Sequence, residues 1–348
     1  MTTYKELFGK PVKHLSTDPT DAEAAGQIWY NTTSGTFKSI VSSAAWSSAS
    51  PLITAVATAG TLGIQTAALS IGGRPAGGGS TNVTQHYNGS GFSSGGNLNQ
   101  TRSYLAGCGT TTAGLAFGGW YSPPAGARNE SEEYNGSSWT AGNVMGTARF
   151  GLAGAGTQTS GLAFGGTPPI SSATEEYGGT SWTAGGAMNT ARNYLAGFGA
   201  SQTAAIAAGG QNPAPTNKAE TELYNGTSWS EVNNLNTARG SGLGGSGTST
   251  SGIVFGGISS GVAPGTATGV TESWDGTSWT TSPASLATVR YFIGGAGADS
   301  TSAVAMGGRT APDSLTTTEE FNVSINTITP GAWAAGGNLP AAKGNTNV

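Results

Sequence analysis

The feature that most constrains this chain is a Gly-Gly pair that closes a short apolar run and recurs six times in 348 residues. Successive pairs are 46, 47, 44, 47 and 51 residues apart. A period of this length is typical of stacked units that bury their apolar faces against one another. The sequence therefore predicts six repeated units. The pairs are Gly72-Gly73, Gly118-Gly119, Gly165-Gly166, Gly209-Gly210, Gly256-Gly257 and Gly307-Gly308.

Each pair is followed by a variable stretch and then by a nearly fixed phrase such as SEEYNGSSW or TELYNGTSW. An aromatic residue ends one strand, two turn residues follow, and a second aromatic begins the return strand. Asn-Gly favours a two-residue type I′ hairpin, because both central positions need positive φ. In the sixth unit Asn322-Val323 breaks this pattern, and the matching tryptophan is expected at Trp333, after an excursion containing Pro330. The regular turns are predicted at Asn88-Gly89, Asn135-Gly136, Gly178-Gly179, Asn225-Gly226 and Asp275-Gly276.

A linker that ends in arginine leads from each phrase to a glycine-rich strand, such as Leu152 to Gly156, and a second apolar strand then returns to the next Gly-Gly. Four strands per unit without a helical period predict an all-β fold. The linker arginines recur with a glutamate two residues before the strand-ending aromatic, which predicts five structural ion pairs rather than catalytic carboxylates. The repeated tryptophans are interpreted as packing residues. The expected pairs combine Arg102, Arg149, Arg192, Arg239 and Arg290 with Glu132, Glu175, Glu222, Glu272 and Glu319.

This order of apolar strand, Gly-Gly, variable loop, aromatic, Trp and arginine-ending linker resembles the kelch repeat, over about residues 52 to 343. The resemblance implies a β-propeller of four-stranded blades, with small residues such as those of LAGCGT and LAGAGT crowded at its axis. Six blades are expected if the segment around Trp46 closes the ring, and seven if it contributes to another blade. The predicted organisation is an attachment segment with a hairpin at 1–50, including a short helix near Tyr4 to Phe8, and a propeller at 51–348.

Composition narrows the function. Charged residues make up 9% of the chain, against about 25% in ordinary globular proteins, and the net charge is -4. No basic surface for nucleic acid is expected, and no apolar run is long enough to insert into a membrane. The start of the chain has no apolar segment typical of a secretory signal. The one cysteine, Cys108, is expected to be a small buried residue.

Few residues are suited to catalysis. His14 and His86 are the only histidines and have no metal-ligand spacing. Some kelch propellers resemble galactose oxidase, whose copper site requires two histidines near the axis. His14 lies outside the repeats, and His86 lies on an outer strand. We therefore expect no enzyme activity, no catalytic residue, no metal site and no cofactor.

The variable loops after the Gly-Gly pairs are where we expect recognition, since loops on a rigid scaffold commonly carry binding residues. They hold most of the charges that do not repeat and one adjacent aromatic pair, Trp120-Tyr121, which could alternatively pack under its own loop. The candidate ligand-binding residues are Arg74, Trp120, Tyr121, Arg128, Lys218, Arg309 and Asp313.

The phrase GQIWYNTTSGTFK near the start resembles one found in bacteriophage tail-fibre and other virion proteins, and the Gly/Ser/Thr/Ala-rich units resemble kelch units of marine phage structural proteins. The resemblance implies a virion protein, made in the host cytoplasm and attached to other virion proteins through residues 1–50. Its expected ligand is a host surface glycan or protein. Tail or capsid location and a homo-oligomer remain open. The alternatives are a cellular kelch scaffold for protein partners and, less favoured, a galactose-oxidase-like or polysaccharide-active enzyme.

Overall fold

The computed structural model describes residues 13–19, 28–122, 124–214, 216–261 and 263–328, in which the chain forms strands and no helix. The chain divides into two compact units, Ala44–Asn322 and a smaller unit made of Met1–Ser43 with Val323–Val348. The helix expected near Tyr4 to Phe8, and Trp333 with Pro330, lie outside the described residues.

The described residues contain five four-stranded antiparallel sheets, one six-stranded sheet and three two-stranded sheets. The four-stranded sheets, together with four adjacent strands of the six-stranded one, are here called sheets 1 to 6 in chain order. Sheet 1 comprises Gly60–Ile64, Ala67–Ile71, Thr84–Tyr87 and Phe92–Ser94; sheet 2, Ala106–Thr110, Ala113–Phe117, Ser131–Tyr134 and Trp139–Ala141; sheet 3, Ala153–Thr157, Ser160–Phe164, Thr174–Tyr177 and Trp182–Ala184. Sheet 4 comprises Ala196–Ser201, Ala204–Ala208, Thr221–Tyr224 and Trp229–Val232; sheet 5, Gly244–Gly247, Gly252–Phe255, Thr271–Trp274 and Trp279–Thr281. Sheet 6 comprises Gly294–Asp299, Ser302–Met306, Thr318–Ile328 and Thr36–Ala49.

Sheets 1 to 5 have their strands in the order in which the repeat predicts them, first to fourth. In sheet 2, Ala106 is opposite Phe117, Phe117 opposite Ser131, and Tyr134 opposite Trp139. This register places the variable loop and the incoming linker at one end of the sheet, which we call the loop end. The tight turns lie at the other end, which we call the turn end.

The first strands of the sheets pack against one another in chain order, and the first strand of sheet 6 contacts that of sheet 1. Small residues occupy these strands because the strands approach closely. A Cβ on Gly154 would lie 2.7 Å from the Phe117 ring, and one on Gly295 would lie 2.8 Å from the Gly245 backbone. The predicted crowding of the first strands is thus confirmed, in a propeller-like arrangement of sheets.

The Gly-Gly pairs are required by backbone conformation as well as by space. Gly118 and Gly119 have φ of 63° and 109°, a region that residues with a side chain rarely adopt. A Cβ on Gly118 would also lie 2.8 Å from the Arg149 carbonyl oxygen. The other five pairs share these positive φ angles. Each pair therefore turns the chain sharply out of the second strand and into its variable loop.

The fourth strand of sheet 6 comes from the beginning of the chain. Trp46 Nε1 donates to Thr271 Oγ1 of sheet 5 at 2.9 Å, and the Trp46 ring packs 4.9 Å from the Phe255 ring. The fourth-strand tryptophans of sheets 2 to 5 make the same bond to the preceding sheet, for example Trp229 to Thr174 at 2.9 Å. Trp46 therefore stands where sheets 2 to 5 have their fourth-strand tryptophan, one of the two placements expected for this segment. Trp333, the other residue expected at this position, lies outside the described residues.

The turns between third and fourth strands differ from the predicted type I′ hairpins. Tyr134 is opposite Trp139, which leaves a four-residue loop, and within it Gly136 has positive φ but Asn135 does not. The Asn135 side-chain oxygen instead accepts hydrogen bonds from the Ser137 and Ser138 N–H groups, both at 2.9 Å. This side-chain capping replaces the two-residue turn. In sheet 6 the strand Thr318–Ile328 runs through Asn322-Val323 without a turn.

The smaller unit contains the predicted hairpin, Ile28–Asn31 paired with the strand that begins at Thr36, while Lys13–Leu15 lies parallel to Ile28–Asn31. Its buried centre is Trp29, which is 1% exposed and donates to the Asp18 carboxylate at 3.2 Å. Asn31 Nδ2 donates to the same carboxylate at 2.6 Å, and Lys38 pairs with it at 2.6 Å. The Asp18 carboxylate thus holds Trp29, Asn31 and Lys38 of the smaller unit together.

Candidate recognition surface

The five predicted arginine–glutamate pairs are confirmed and are structural. Arg192 Nη2 lies 2.8 Å from the Glu222 carboxylate, and both side chains are fully buried. Arg192 also donates to the carbonyl oxygens of Gly209 and Glu220, while Glu222 accepts the Asn189 backbone N–H at 2.7 Å. Each pair therefore ties a linker to the second and third strands of the sheet that follows it. The other pairs are Arg102–Glu132, Arg149–Glu175, Arg239–Glu272 and Arg290–Glu319.

Sheet 1 has the same site without charges. Val56, buried at 1% exposure, stands where the other linkers have arginine, and Gln85 stands where the other sheets have glutamate. Gln85 exchanges hydrogen bonds with the backbone of Thr54, accepting its N–H at 2.8 Å and donating to its carbonyl at 3.2 Å. The amide suits this site because a carboxylate without arginine would be a buried, uncompensated charge.

A second set of side chains joins neighbouring sheets. Tyr224 Oη donates to Glu176 at 2.6 Å, and burial together with that carboxylate raises the pKa of Tyr224 to about 12. His86 stands at the position of Glu176 in sheet 1 and bonds Tyr134 Oη through Nε2 at 2.7 Å. Burial lowers the pKa of His86. His86 is therefore part of the scaffold between sheets 1 and 2.

Short strands carry the predicted aromatic pair at the loop end of sheet 2. Trp120–Tyr121 pairs with Gly126–Ala127, and both aromatic side chains are half-buried. The Trp120 ring packs 4.9 Å from the Phe150 ring of the next linker, whereas the Arg128 guanidinium lies 4.7 Å above the Tyr121 ring. Trp120 thus packs against the linker that carries Phe150, and Tyr121 is covered by Arg128 of its own loop.

A closed circuit of backbone hydrogen bonds lies at the loop end, where each linker enters its first strand. All six donor residues and their acceptors have positive φ, between 50° and 68°. Each N–H donates to a carbonyl oxygen in the linker of the preceding sheet, with N···O distances of 2.7 to 3.1 Å. The sixth bond joins the linker of sheet 1 to that of sheet 6 and so completes the circuit. The donors and acceptors are Tyr104 to Thr58, Gly151 to Tyr104, Tyr194 to Gly151, Gly242 to Tyr194, Phe292 to Ser241 and Thr58 to Phe292.

Aromatic rings from this circuit form one cluster, which we call the axial cluster, consisting of Tyr104, Phe150, Tyr194 and Phe292. Tyr104 lies 5.7 Å from Tyr194 and 5.4 Å from Phe292, and Phe150 lies 5.8 Å from Tyr104, all between ring centroids. Tyr104, Tyr194 and Phe292 line an open cavity of about 100 Å³. Burial raises the pKa of the Tyr194 hydroxyl, which keeps it protonated as a hydrogen-bond donor.

Two of the predicted arginines approach the axial cluster. Burial raises the pKa of Tyr104, and the positive charges of Arg74 and Arg309 oppose this rise. Arg74 pairs with Ala57, next to the circuit, and Arg309 pairs with Tyr291. The two arginine-bearing loops touch through Ser314 Oγ, which donates to the Arg74 carbonyl at 2.9 Å.

The remaining candidates occupy other parts of the loops. Lys218 pairs with Glu220 at 3.0 Å, and Arg128 lies 3.9 Å from Glu130. Asp313 is exposed in the loop that carries Arg309. The structure therefore brings Arg74, Arg309 and Trp120 to one surface with the axial cluster and leaves Arg128, Lys218 and Asp313 outside it.

Sequence reasoning missed the axial cluster. The signal available was an aromatic one or two residues after a linker arginine, as in Arg102-Ser-Tyr104 or Arg149-Phe150. Glycines alternate with aromatics at this position, so the pattern does not resemble a repeat.

Two features are absent from the part of the chain that the structure describes. No group of three His, Cys, Asp or Glu side chains there could hold a metal ion. No helix in the described ranges is long and apolar enough to cross a membrane.

Cys108 is fully buried in the first strand of sheet 2, and burial raises the pKa of its thiol to about 12. This confirms that Cys108 is a small buried residue.

A scan against protein-family models and a search of the curated proteins found no match to this chain. Its function is therefore inferred from the contacts of its own residues.

Proposed function

We propose that this chain is a kelch-type β-propeller of six blades, with Trp46 in the closing strand, and that it binds a host surface glycan through the loop end as a virion surface protein. Sheets 1 to 6 and the closed circuit of hydrogen bonds support the six-bladed ring. The resemblance of the GQIWYNTTSGTFK phrase to tail-fibre proteins supports the virion. The alternatives, a protein ligand or a cellular scaffold, share the same loop end.

The observation that carries the glycan proposal is the axial cluster, with Trp120 packed beside it and Arg74 at Tyr104. The C–H faces of a sugar ring are apolar and pack well on aromatic rings. A few polar groups around an apolar cavity then fix orientation, as in most small-ligand sites. The tyrosine hydroxyls and the arginines supply these groups.

The recognition proposal is tested by adsorption of the purified protein to host cells. We expect Trp120→Ala combined with Tyr194→Ala to weaken adsorption about 10- to 30-fold, the usual effect of removing aromatic anchors. Ile64→Ala is the matched control, because Ile64 is 46% exposed at the turn end of sheet 1. Unchanged adsorption of a folded double variant, or equal losses in the control, contradicts recognition at the loop end.

The virion proposal is tested by particle composition. Deleting residues 1–43 removes the first segment of the smaller unit and keeps Trp46 in the larger one. We expect particles assembled with this variant to lack the protein in mass spectra, while the variant itself stays folded by circular dichroism. Normal incorporation refutes attachment through this segment.

Loss of host adsorption after protease treatment of the cells, but not after glycosidase treatment, favours a protein ligand instead.

A further inference from the structure

In the larger unit, nearly every cationic side chain has an acidic partner. The five linker arginines pair with buried glutamates, and Arg128 and Lys218 lie near Glu130 and Glu220. Arg74 and Arg309 form no ion pair with any described residue, although the loops around them touch. They come from the adjacent sheets 1 and 6 and pair with Ala57 and Tyr291, the residues next to Thr58 and Phe292 of the circuit. The charges of both arginines also act on Tyr104.

Arg309 is also incompletely satisfied. Its Nη2 donates to the Pro312 carbonyl at 2.7 Å, but its buried Nε has no hydrogen-bond partner among the described residues. A guanidinium has five donors in a planar fork that matches a carboxylate. The buried Nε is out of reach of a ligand, and it is equally unpaired in the linker arginines Arg102 and Arg149. The two arginines without acid partners leave their terminal guanidinium donors for an anionic group.

We infer that the ligand at the axial cluster is an acidic saccharide whose carboxylate binds between Arg74 and Arg309 while its ring packs on the aromatic side chains. This inference rests on the proposed function and specifies the ligand class. The charge complementarity favours an anion, and the neighbouring rings of Tyr104, Tyr194 and Phe292 favour a sugar over an acidic peptide, because they offer apolar faces rather than an extended groove.

The test compares a panel of sialylated and uronate-containing oligosaccharides with the same compounds after reduction of each carboxyl to an alcohol. Affinities are measured by isothermal titration calorimetry. We expect at least one acidic member to bind and its reduced counterpart to bind about 10-fold or more weakly, the loss typical of a charge-assisted hydrogen bond. Higher salt should weaken the acidic ligand more than the reduced one.

Variants that remove one positive charge then show which side chains cause the preference for the acidic saccharide. Arg74→Met and Arg309→Met should each abolish most of the preference for the acidic form, whereas Lys218→Met, a loop cation with an acid partner, should keep it. Melting temperatures within the error of the parent protein show that the variants fold.

Three outcomes overturn the inference. They are equal binding of acidic and reduced forms, a preference that survives in the Arg74→Met/Arg309→Met double variant, and tighter binding of poly-glutamate than of every saccharide. Equal binding of both saccharide forms leaves glycan recognition intact. Absence of binding to the whole panel refutes the acidic-saccharide inference, while the host-cell adsorption experiment separately decides the proposed function.

Discussion

Replacing Glu222 by glutamine probes the buried pairs of the scaffold. The Arg192 and Glu222 side chains are both 0% exposed and lie 2.8 Å apart. The glutamine oxygen can still accept the N–H of Asn189, but Arg192 loses its counter-charge where burial already lowers the pKa of this group. Removing one partner of a buried pair costs about 3–5 kcal/mol. At about 2–4 °C per kcal/mol for a unit of this size, the melting temperature falls by about 6–20 °C.

The double variant Arg192→Val/Glu222→Gln copies the uncharged site of sheet 1, where Val56 and Gln85 stand. It leaves no unpaired charge in the core. We therefore expect it to be more stable than Glu222→Gln alone, with a coupling free energy of about 1–3 kcal/mol between the two positions.

The assay is urea unfolding followed by tryptophan fluorescence, with free energies extrapolated to water. The control is the half-buried pair Lys218–Glu220, for which Glu220→Gln should cost at most about 1 kcal/mol. Two results refute the reasoning. One is a cost of 1 kcal/mol or less for Glu222→Gln, and the other is a double variant whose destabilisation equals the sum of the single ones.

Three further predictions concern other contacts. Trp46→Ala should lower the free energy of unfolding by about as much as Trp182→Ala, because both half-buried rings donate a hydrogen bond to a hydroxyl of the preceding sheet. Both free energies are measured by urea titration. If Trp46→Ala leaves the free energy of unfolding unchanged, the strand that carries Trp46 does not hold sheet 6 to sheet 5. Since burial lowers the pKa of His86 below its usual 6.5, the unfolded chain binds protons at higher pH than the folded one. The free energy of unfolding should therefore fall as pH drops through 6.5. The variant His86→Glu restores the Tyr–Glu contact of other sheets and should remove this dependence of the unfolding free energy on pH. If the variant keeps the same dependence, His86 is not its cause. Finally, the buried Cys108 thiol, with its pKa raised to about 12, should react with Ellman's reagent only in the unfolded protein, and rapid reaction of the native protein would contradict its burial.

The repeated scaffold could be read from the sequence because each of its contacts has a local signature. Glutamate two residues before an aromatic, paired with a linker arginine, predicted ion pairs that the structure contains in all five places. The Gly-Gly pairs marked the ends of the second strands for a similar reason, since a positive φ is a property of the residue and its neighbours. Repetition strengthened each signal.

The predicted two-residue turn was wrong, whereas the sixth unit breaks the turn pattern as expected. Asn135-Gly136 was expected to form a two-residue turn, but the asparagine side chain caps the N–H groups of Ser137 and Ser138 and stabilises a four-residue loop. Asn322-Val323 lacks a glycine and continues an extended strand. Both outcomes depend on side-chain hydrogen bonds and strand pairing, which the dipeptide alone does not specify.

The sequence by itself determined the strand order of sheets 1 to 5 and the arginine–glutamate pairs that hold five linkers to their sheets, because these contacts lie within one repeat of the chain. Only the tertiary structure decided that Trp46 completes sheet 6, some 270 residues away from its partner strand, and that aromatic residues from separate linkers meet at the loop end beside Arg74 and Arg309. The physical reason is that hydrophobic packing and backbone hydrogen bonds do not depend on separation along the chain. Residues without any common motif therefore become neighbours when the first strands pack together.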